Sequence, residues 1–425
     1  MKTQPTSFTD ERENARYSWN GGNGGGGGGG GHTRMHIEHC PSIHVAFYLW
    51  YGTPSIDGQW RHWDHAELPH WDERVRKQYR HGTPFLPPEE PHSPFYPARG
   101  LYSSRDRKVL GEQMREIAAT GISSVMLSWW GQAAAEVTRD SQGVSTDELV
   151  PAVLDAAAAA GVGVTWHIEP YGARSARSVL GDLQYLASKY GEHPAIYRQK
   201  RRDGKSVPIV FLYDVSAQHS GDDVRDAAAQ WRSVSQAIRG TPADALLLSL
   251  FLEPRDVAFV VDAGLDGAYT YFASAGFTRG SDPSSWRGTR EAMAARGLWF
   301  VPSVGPGYND TLIRPWNTAH TKSRDDGEYY NRFWRAAIDA TPPAVTITSY
   351  NEWGEGTQIE PARSHTSVNG SVYADYSPLP PDFYLQRTRA WVEEARRGCK
   401  GAPPPSSSST GGAEQTEAAL SNDEL

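Results

Sequence analysis

The chain has 425 residues, and its 42 lysines and arginines against 50 aspartates and glutamates give a net charge of −8. That balance argues against a non-specific nucleic-acid-binding protein, which usually needs a basic face. No apolar run reaches the roughly 18 residues of a transmembrane helix, and two cysteines exclude a disulfide-dense scaffold or a cysteine-rich zinc module. The 15 tryptophans, 20 tyrosines and 12 phenylalanines suit a ligand with one apolar face, such as a sugar or a nucleobase, although a large core also uses aromatic residues.

Both ends of the chain have the composition of disordered segments. Residues 21–31 are glycine apart from Asn23, so we predict that residues 1–38 are disordered. Residues 399–425 are rich in proline and serine and are predicted to form a disordered tail, which leaves residues 39–398 as one domain. The first residues lack the apolar stretch of a signal peptide. The last four, Asn-Asp-Glu-Leu, resemble a signal for retrieval to the endoplasmic reticulum, with a chance acidic end as the alternative.

Eight apolar runs between these ends are typical of buried β-strands. They cover residues 43–50, 124–129, 162–168, 208–213, 245–250, 267–272, 298–303 and 344–349. Most are continuously apolar, as expected for parallel strands that are covered on both faces. Helical patterns lie at about residues 106–120, 146–160, 175–190, 221–238, 254–263, 284–296, 328–340 and 382–397. Six of them precede a glycine suited to a left-handed helix end, at Gly121, Gly161, Gly191, Gly240, Gly264 and Gly297.

This alternation predicts an α/β fold, namely a single (β/α)8 barrel (a TIM barrel) with long loops after its strands and disordered termini. A doubly wound open sheet is the structural alternative. In a barrel, catalytic residues follow the carboxyl ends of the strands. Carboxylates and aromatic residues collect there in this sequence: Tyr51, Trp130, Glu169, Asp214, Glu253, Tyr269, Tyr271, Tyr308 and residues 350–356. A glycosidase needs this combination, because two carboxyl groups transfer protons and flat rings bind sugars.

The segment after the eighth run, residues 351–360, carries the most information about chemistry. Glu352 and Glu355 lie three residues apart beside glycines that allow a tight turn, so both carboxyl groups can face the barrel axis. One could then protonate a leaving oxygen while the other removes a proton. A solvated acidic turn or an ion pair is the alternative, but the neighbouring Asn351 and Trp353 at a strand end favour catalysis.

Two further groups of polar residues could form part of a functional site or have a purely structural role. Glu169 follows the third run, where it would bind sugar hydroxyl groups or tune a neighbouring charge; an ion pair with Arg174 or Arg177 is the alternative. The first long loop contains three histidines and two aspartates, His62, Asp64, His65, His70 and Asp72. Tryptophans alternate with them and no familiar ligand spacing is present, so we predict a packed lid rather than a metal site, and no cofactor.

Several segments together resemble glycoside hydrolase family 99, a family of endo-α-mannosidases. They are residues 46–52, 58–63, 95–97, 102–106, 127–129, 167–171, 269–272, 302–308, 314–317, 348–353 and 356–360, in order within residues 43–395. The resemblance implies a (β/α)8 barrel that cleaves an internal α-1,2-mannosidic bond of a glucosylated, mannose-rich N-glycan or glycoprotein and releases a glucosyl-mannose disaccharide. It implies no nucleic acid and no obligatory protein partner. It also implies the lumen of the Golgi or endoplasmic reticulum.

The resemblance further implies retention of configuration, with attack by the substrate's own 2-hydroxyl group through a 1,2-anhydro sugar. Glu352 would be the base that deprotonates this hydroxyl group, and Glu355 would be the acid and later the base that activates water. The resemblance implies Glu169, Tyr269, Tyr271 and Trp130 as substrate-binding residues. Their place at or after the strand ends adds six more: Tyr51, His167, Asn351, Trp353, Asp214 and Tyr308. Among these, Tyr269 or Tyr271 would lie near the reacting centre, and Trp130 would tune the preference for the −2 sugar.

One position departs from the family pattern. The animal enzymes of the family have a histidine where this chain has Gly354, and its loss would alter contacts to the leaving sugar or the pKa of the acid. Three alternative functions stay open: an endo-mannanase on non-glucosylated mannan, a non-catalytic glycan-binding barrel, and, last, a zinc hydrolase. Whether Cys40 and Cys399 form a bridge also stays open, because barrel termini lie close together.

Overall fold

The computed structural model describes residues 40–133, 138–216, 222–397 and 399. The predicted N-terminal segment, the Asn-Asp-Glu-Leu end and all of the predicted tail except Cys399 lie outside the described residues. None of the described helices is long and apolar enough to cross a lipid bilayer.

Nine parallel strands form the barrel. They are β1 (Ser42–Phe47), β2 (Ser124–Trp129), β3 (Gly163–Ile168), β5 (Ser206–Leu212), β6 (Leu246–Leu250), β7 (Gly267–Tyr269), β8 (Trp299–Val301), β9 (Ser303–Val304) and β10 (Ala344–Ile347). The hydrogen-bonded order is β8-β7-β6-β5-β3-β2-β1-β10-β9. Only Pro302 separates β8 from β9, so the sheet closes on itself through one interrupted strand. All eight predicted runs are strands, the seventh being divided in two, and the open doubly wound sheet is wrong.

The helices alternate with these strands as predicted. They are α1 (Pro54–Asp57), α2 (Glu73–Arg76), α3 (Arg107–Ala119), α4 (Val150–Ala160), α5 (Ala176–Tyr190), α6 (Asp222–Ile238), α7 (Asp256–Asp262), α8 (Trp286–Ala294), α9 (Glu328–Asp339) and α10 (Phe383–Ala395). Five of the six helix-ending glycines have φ between 62° and 78°. The prediction is wrong for Gly191, which has φ −58°. A Cβ there would lie 2.3 Å from the carbonyl oxygen of Ala187, so glycine is needed for space rather than for handedness.

Short elements without a periodic pattern were not predicted. They are β4 (Arg198–Lys200), which pairs antiparallel with β5, the hairpin of β11 (His365–Thr366) and β12 (Val372–Tyr373), and the helices α1 and α2 in the first long loop. The eight long helices cover the outside of the barrel, and apolar side chains such as Met126, Phe211 and Leu248 fill its interior. This packed core fixes the carboxyl ends of β1, β3, β7 and β10 at one rim, where the predicted site residues collect.

Candidate active site

The turn after β10 carries the two predicted catalytic carboxyl groups. The amide of Glu352 donates to Ser349 Oγ at 2.8 Å, and the amide of Gly354 donates to Glu352 Oε1 at 3.1 Å. The carboxyl group therefore folds back over its own turn, and Glu352 is only 7% exposed. The Glu355 side chain is 22% exposed, so it is the more accessible group of the pair. Gly356 has φ 62°, a value that permits the chain to reverse after Glu355.

A segment of the first long loop lies behind this turn. Ser93 Oγ donates to the carbonyl oxygen of Trp353 at 3.1 Å. A Cβ on Gly354 would lie 2.7 Å from His92 Cε1, and a Cβ on Gly356 would lie 3.1 Å from Pro94 Cγ. The two glycines thus allow residues 92–94 to pack directly on the turn. His92, 4% exposed, was not predicted as a site residue; its signal would have been a histidine preceding one of the family-like segments.

A charged group from the loop after β9 contacts Glu355. Arg314 Nη1 lies 3.4 Å from Glu355 Oε1 and 3.0 Å from Asp310 Oδ2. Asn317 Nδ2 lies 3.0 Å from both oxygens of Asp310, so that this carboxylate has partners on two sides. The amide of Asn309 also donates to the carbonyl oxygen of Glu355 at 2.8 Å. Arg314 and Asp310 were not predicted as site residues, since their contact with Glu355 joins two separate loops.

The environment raises the pKa of both glutamates above that of an exposed glutamate. Burial raises the pKa of Glu355 to about 7; the charge of Arg314 opposes this shift, and the charge of Asp310 adds to it. Burial, followed by the charge of Glu355, raises the pKa of Glu352 well above its ordinary value, against the hydrogen bond from Gly354. The pair therefore retains protons at a pH where exposed glutamates have lost them, as a general acid near neutral pH requires.

The two tyrosines of the sixth predicted run, Tyr269 at the end of β7 and Tyr271 just after it, have different surroundings. Tyr271 is hydrogen-bonded through its hydroxyl group to that of Tyr48. The pKa of Tyr271 is raised by burial and by the charges of Tyr48, Glu355 and Glu352, so this hydroxyl group lies within the electrostatic reach of both carboxyl groups. Tyr269 is fully buried, and its hydroxyl group lies 2.7 Å from His167 Nε2. Of the two candidates, Tyr271 is thus the one on which the charges of Glu352 and Glu355 act.

A second polar group surrounds Glu169. Glu169 Oε1 lies 2.8 Å from His167 Nδ1 and accepts from Ser128 Oγ at 2.9 Å. Trp130, partly exposed, donates from Nε1 to the same Ser128 hydroxyl group at 3.2 Å. Arg174 instead donates to the carbonyl oxygens of Tyr213 and Asp214. The carboxylate of Glu169 is therefore bonded to Ser128 and His167 and lies within the electrostatic reach of Arg174.

Three of the predicted binding residues support the turn from inside. Asn351 Oδ1 accepts from the amide of Tyr48 at 2.8 Å, and Asn351 Nδ2 donates to its carbonyl oxygen at 2.9 Å. Tyr51 donates to the carbonyl oxygen of Asn351 at 3.0 Å and accepts from the amide of Trp353 at 3.0 Å. Trp353 Nε1 donates to Glu360 Oε2 at 2.9 Å. All three are buried, and these bonds tie the ends of β1 and β10 together.

The two remaining predicted residues lie at the same rim. Tyr308 is buried, and the charges of Glu355 and Arg314 both act on its hydroxyl group. Asp214, at the end of β5, is buried and adopts a left-handed φ of 55°.

The histidine-rich first loop is folded against the barrel. His62 Nε2 lies 2.8 Å from Asp140 Oδ2, and its ring stacks on Trp50 at 4.4 Å. Trp63 is fully buried and stacks on Tyr51 at 4.2 Å. The amide of Leu68 donates to the carbonyl oxygen of Ile313 at 2.8 Å, which joins this loop to the one that carries Arg314. In the part of the chain that the structure describes, no group of three His, Cys, Asp or Glu residues is arranged to hold a metal ion.

A parallel barrel whose carboxyl rim carries two interacting glutamates, one buried and one partly exposed, is typical of a glycoside hydrolase. Residues 40–397 match the sequence model of glycosyl hydrolase family 99, and the chain belongs to that family. The enzyme is therefore a glycoside hydrolase of the endo-α-1,2-mannosidase family.

Similar sequences and a similar solved structure support this assignment. The chain is 42% identical over 352 residues to glycoprotein endo-alpha-1,2-mannosidase of Mus musculus, covering 83% of this chain and 74% of the relative. It is 40% identical to a glycoprotein endo-alpha-1,2-mannosidase-like protein of Danio rerio, covering 83% and 77%. The solved structure of the family 99 endo-alpha-mannosidase from Bacteroides thetaiotaomicron superposes with a TM-score of 0.74 at 35% identity, over 86% of this chain and 99% of that one.

Proposed function

We propose that this protein cleaves the internal α-1,2-mannosidic bond of glucosylated, mannose-rich N-glycans and releases a glucosyl-mannose disaccharide with retained configuration. The observation that carries the proposal is the pair of Glu352, which is buried, and Glu355, which is partly exposed; they share one turn and differ in their partners. Similarity to proteins named glycoprotein endo-alpha-1,2-mannosidase supports the choice of a glycoprotein glycan as the substrate. Residence in the lumen of the secretory pathway stays a prediction from the sequence.

In the first step, Glu352 removes the proton of the substrate's 2-hydroxyl group while that oxygen bonds to C1. The bond from C1 to the leaving oxygen breaks, and Glu355 protonates the leaving sugar. In the second step, Glu355 removes a proton from water, whose oxygen bonds to C1. The C1–O2 bond of the 1,2-anhydro sugar then breaks, and O2 regains its proton from Glu352. Two inversions at C1 give net retention.

This sequence of steps requires the proton of the pair to rest on Glu355 when the reaction begins. Burial in the free protein raises the pKa of both carboxyl groups, so burial by itself does not assign the proton to Glu355. The two groups titrate as a pair rather than singly. A bound sugar that donates its 2-hydroxyl group to Glu352 favours the charged form of that carboxyl group. Substrate binding would therefore move the proton to Glu355. The charge of Arg314 lowers the pKa of Glu355, which keeps this group able to release the proton to the leaving sugar.

The remaining site residues divide between binding and positioning. We propose that Tyr271, within the electrostatic reach of both carboxyl groups, contacts the reacting sugar. Glu169 and Trp130 would bind the sugar on the non-reducing side, with His167 and Tyr269 orienting Glu169; Asp214 and Tyr308 would also contact the glycan. Tyr51, Asn351 and Trp353 would act through the turn, because their polar atoms bond to the protein.

Product analysis tests the proposal. Wild-type protein, Glu352→Gln and Glu355→Gln would be incubated with a glucosylated mannose-rich N-glycan and with plain α-1,2-mannan. Release of glucosyl-mannose by the wild type alone supports the proposal, and NMR of the first product gives its configuration. Cleavage of plain mannan without cleavage of the glucosylated glycan would support the mannanase. Binding without cleavage of either would leave a glycan-binding barrel.

A further inference from the structure

The two ends of the barrel domain meet at the face opposite the catalytic rim. Arg396, directly after α10, donates to the carbonyl oxygen of Gly121 and to Ser123 Oγ, each at 2.9 Å. Ser123 Oγ in turn accepts from the amide of Ile43, in β1, at 3.0 Å. A single serine hydroxyl group therefore links the chain that leaves the last helix to the chain that enters the first strand.

The only two cysteines of the sequence lie at this junction. Cys40 precedes β1 and Cys399 follows α10, and both are partly buried. Cys40 lies three residues before Ile43, and Cys399 lies three residues after Arg396. Burial, followed by the neighbouring thiol of Cys40, raises the pKa of Cys399 to about 11. The charge of Arg396 acts on both thiols. The contacts of Arg396 and Ser123 thus bring the chain ends that carry the two cysteines together, and these contacts do not depend on either thiol.

We propose that Cys40 and Cys399 are a site of oxidative modification at which an intramolecular disulfide joins the two ends of the barrel. The oxidant is a small-molecule disulfide such as oxidised glutathione. One thiolate attacks it and forms a mixed disulfide with release of one glutathione thiol. The second cysteine then attacks the protein sulfur of that mixed disulfide and releases the other glutathione thiol. The protein loses two hydrogen atoms, and the two electrons reduce one glutathione disulfide to two thiols.

The structure indicates what such a bond would do. It would close a loop that contains nearly the whole barrel, and cross-links that close long loops constrain the unfolded chain most strongly. It would also keep α10 attached beside β1. The catalytic turn follows the other end of the strands, so we expect the bond to raise thermal stability without changing glycan cleavage. This inference does not depend on which glycan is the substrate.

The full-length chain, reduced and then treated with oxidised glutathione, tests the proposal. Remaining thiols would be alkylated before digestion and mass spectrometry. The expected result is one linked pair of peptides containing Cys40 and Cys399, an intact mass lower by about 2 Da, and a Tm higher by about 3 °C or more than that of the reduced protein. Cys40→Ser and Cys399→Ser are matched controls, in which the oxidant should give no linked pair and no rise in Tm.

Three results would overturn the proposal: alkylation of both cysteines after oxidation, separate glutathione adducts on each cysteine, or links only between different molecules. A linked pair with an unchanged Tm would contradict the stabilising role. Neither the mass spectrometry nor the Tm measurement requires catalytic activity, so a failure of this proposal is distinct from a failure of the proposed function.

Discussion

The ring of His92 lies so close to Gly354 that a methyl group added at Gly354 would be 2.7 Å from His92 Cε1. The same methyl group would be 3.2 Å from Oε1 of Glu352. Position 354 is where the family resemblance implies a histidine. In this protein an imidazole also lies beside the catalytic turn, but it comes from the loop after β1. Any side chain at position 354 would therefore require His92 or the turn to shift.

This close contact gives a first prediction, a double-mutant cycle. Gly354→Ala should lower kcat by about tenfold or more, because the added methyl group displaces either the turn or His92. His92→Ala in the same chain removes the clash and should restore part of kcat. The measurements are kcat and KM for all four proteins, with Tm to confirm folding. Equal losses in the presence and absence of His92 would show that the two positions are independent.

A second prediction concerns the pH profile. The pKa of Glu355 is raised to about 7, so this acid holds its proton below that pH and loses it above. Glycan cleavage should therefore decline as the pH rises through about 7. Glu355→Gln cannot donate a proton and should lower kcat by about 10³-fold or more, with no alkaline decline of this origin in the residual rate. The pH dependence of kcat/KM for both proteins is the measurement. An alkaline decline that persists in Glu355→Gln would have another cause.

The neighbours of Glu355 predict shifts of opposite sign in that profile. Arg314 lowers the pKa of Glu355, so Arg314→Gln should move the alkaline decline to higher pH. Asp310 raises the same pKa, so Asp310→Asn should move the decline to lower pH. Each variant is the control for the other, because both disrupt the ion pair between Arg314 and Asp310. Shifts in the same direction would show that loop displacement, not charge, dominates.

A stability prediction follows from Glu352. Its folded-state pKa is well above the ordinary 4.5, so the folded protein binds this proton more tightly than the unfolded chain does. Its contribution to stability is fully present below about pH 4.5 and is lost as the pH rises from there through the higher pKa of the folded state. In that range the unfolded chain releases the proton, whereas the folded protein must either keep it or ionise a buried group. Glu352→Gln should therefore raise Tm at pH 8 relative to the wild type and change it little at pH 4. A higher wild-type Tm at pH 8 would contradict this assignment.

The two tyrosines provide a further prediction. Tyr271→Phe removes a hydroxyl group within the electrostatic reach of both carboxyl groups and should mainly lower kcat. Tyr269→Phe removes the partner of His167 and acts through Glu169, so it should mainly raise KM. The pair is matched, since each variant loses one hydroxyl group from the same strand end. Steady-state kinetics on one glycan substrate would distinguish them, and the reverse pattern would exchange their assigned positions.

The barrel could be predicted because its elements have strong local patterns. The strands are continuously apolar since both of their faces are covered, and the long helices repeat apolar residues at helical spacing. The division of the seventh run at Pro302 and the short pairing of β4 were missed, because such short segments have no period to detect. Gly191 shows the same limit: its requirement for space arises from a contact with Ala187, which the neighbouring sequence does not reveal.

For the candidate site, the sequence by itself was enough to predict the end of the barrel at which the site lies and to single out Glu352 and Glu355. It was also enough to relate the chain to family 99. Only the tertiary structure decided which groups surround that pair. His92 packs against Gly354, Arg314 joins Glu355 to Asp310, and Tyr271 rather than Tyr269 is within electrostatic reach of both carboxyl groups. The tertiary structure likewise brought Cys40 and Cys399 together. The physical reason is that strands and helices follow from local hydrophobic periodicity, whereas contacts between loops depend on how the closed barrel places segments that are distant in sequence.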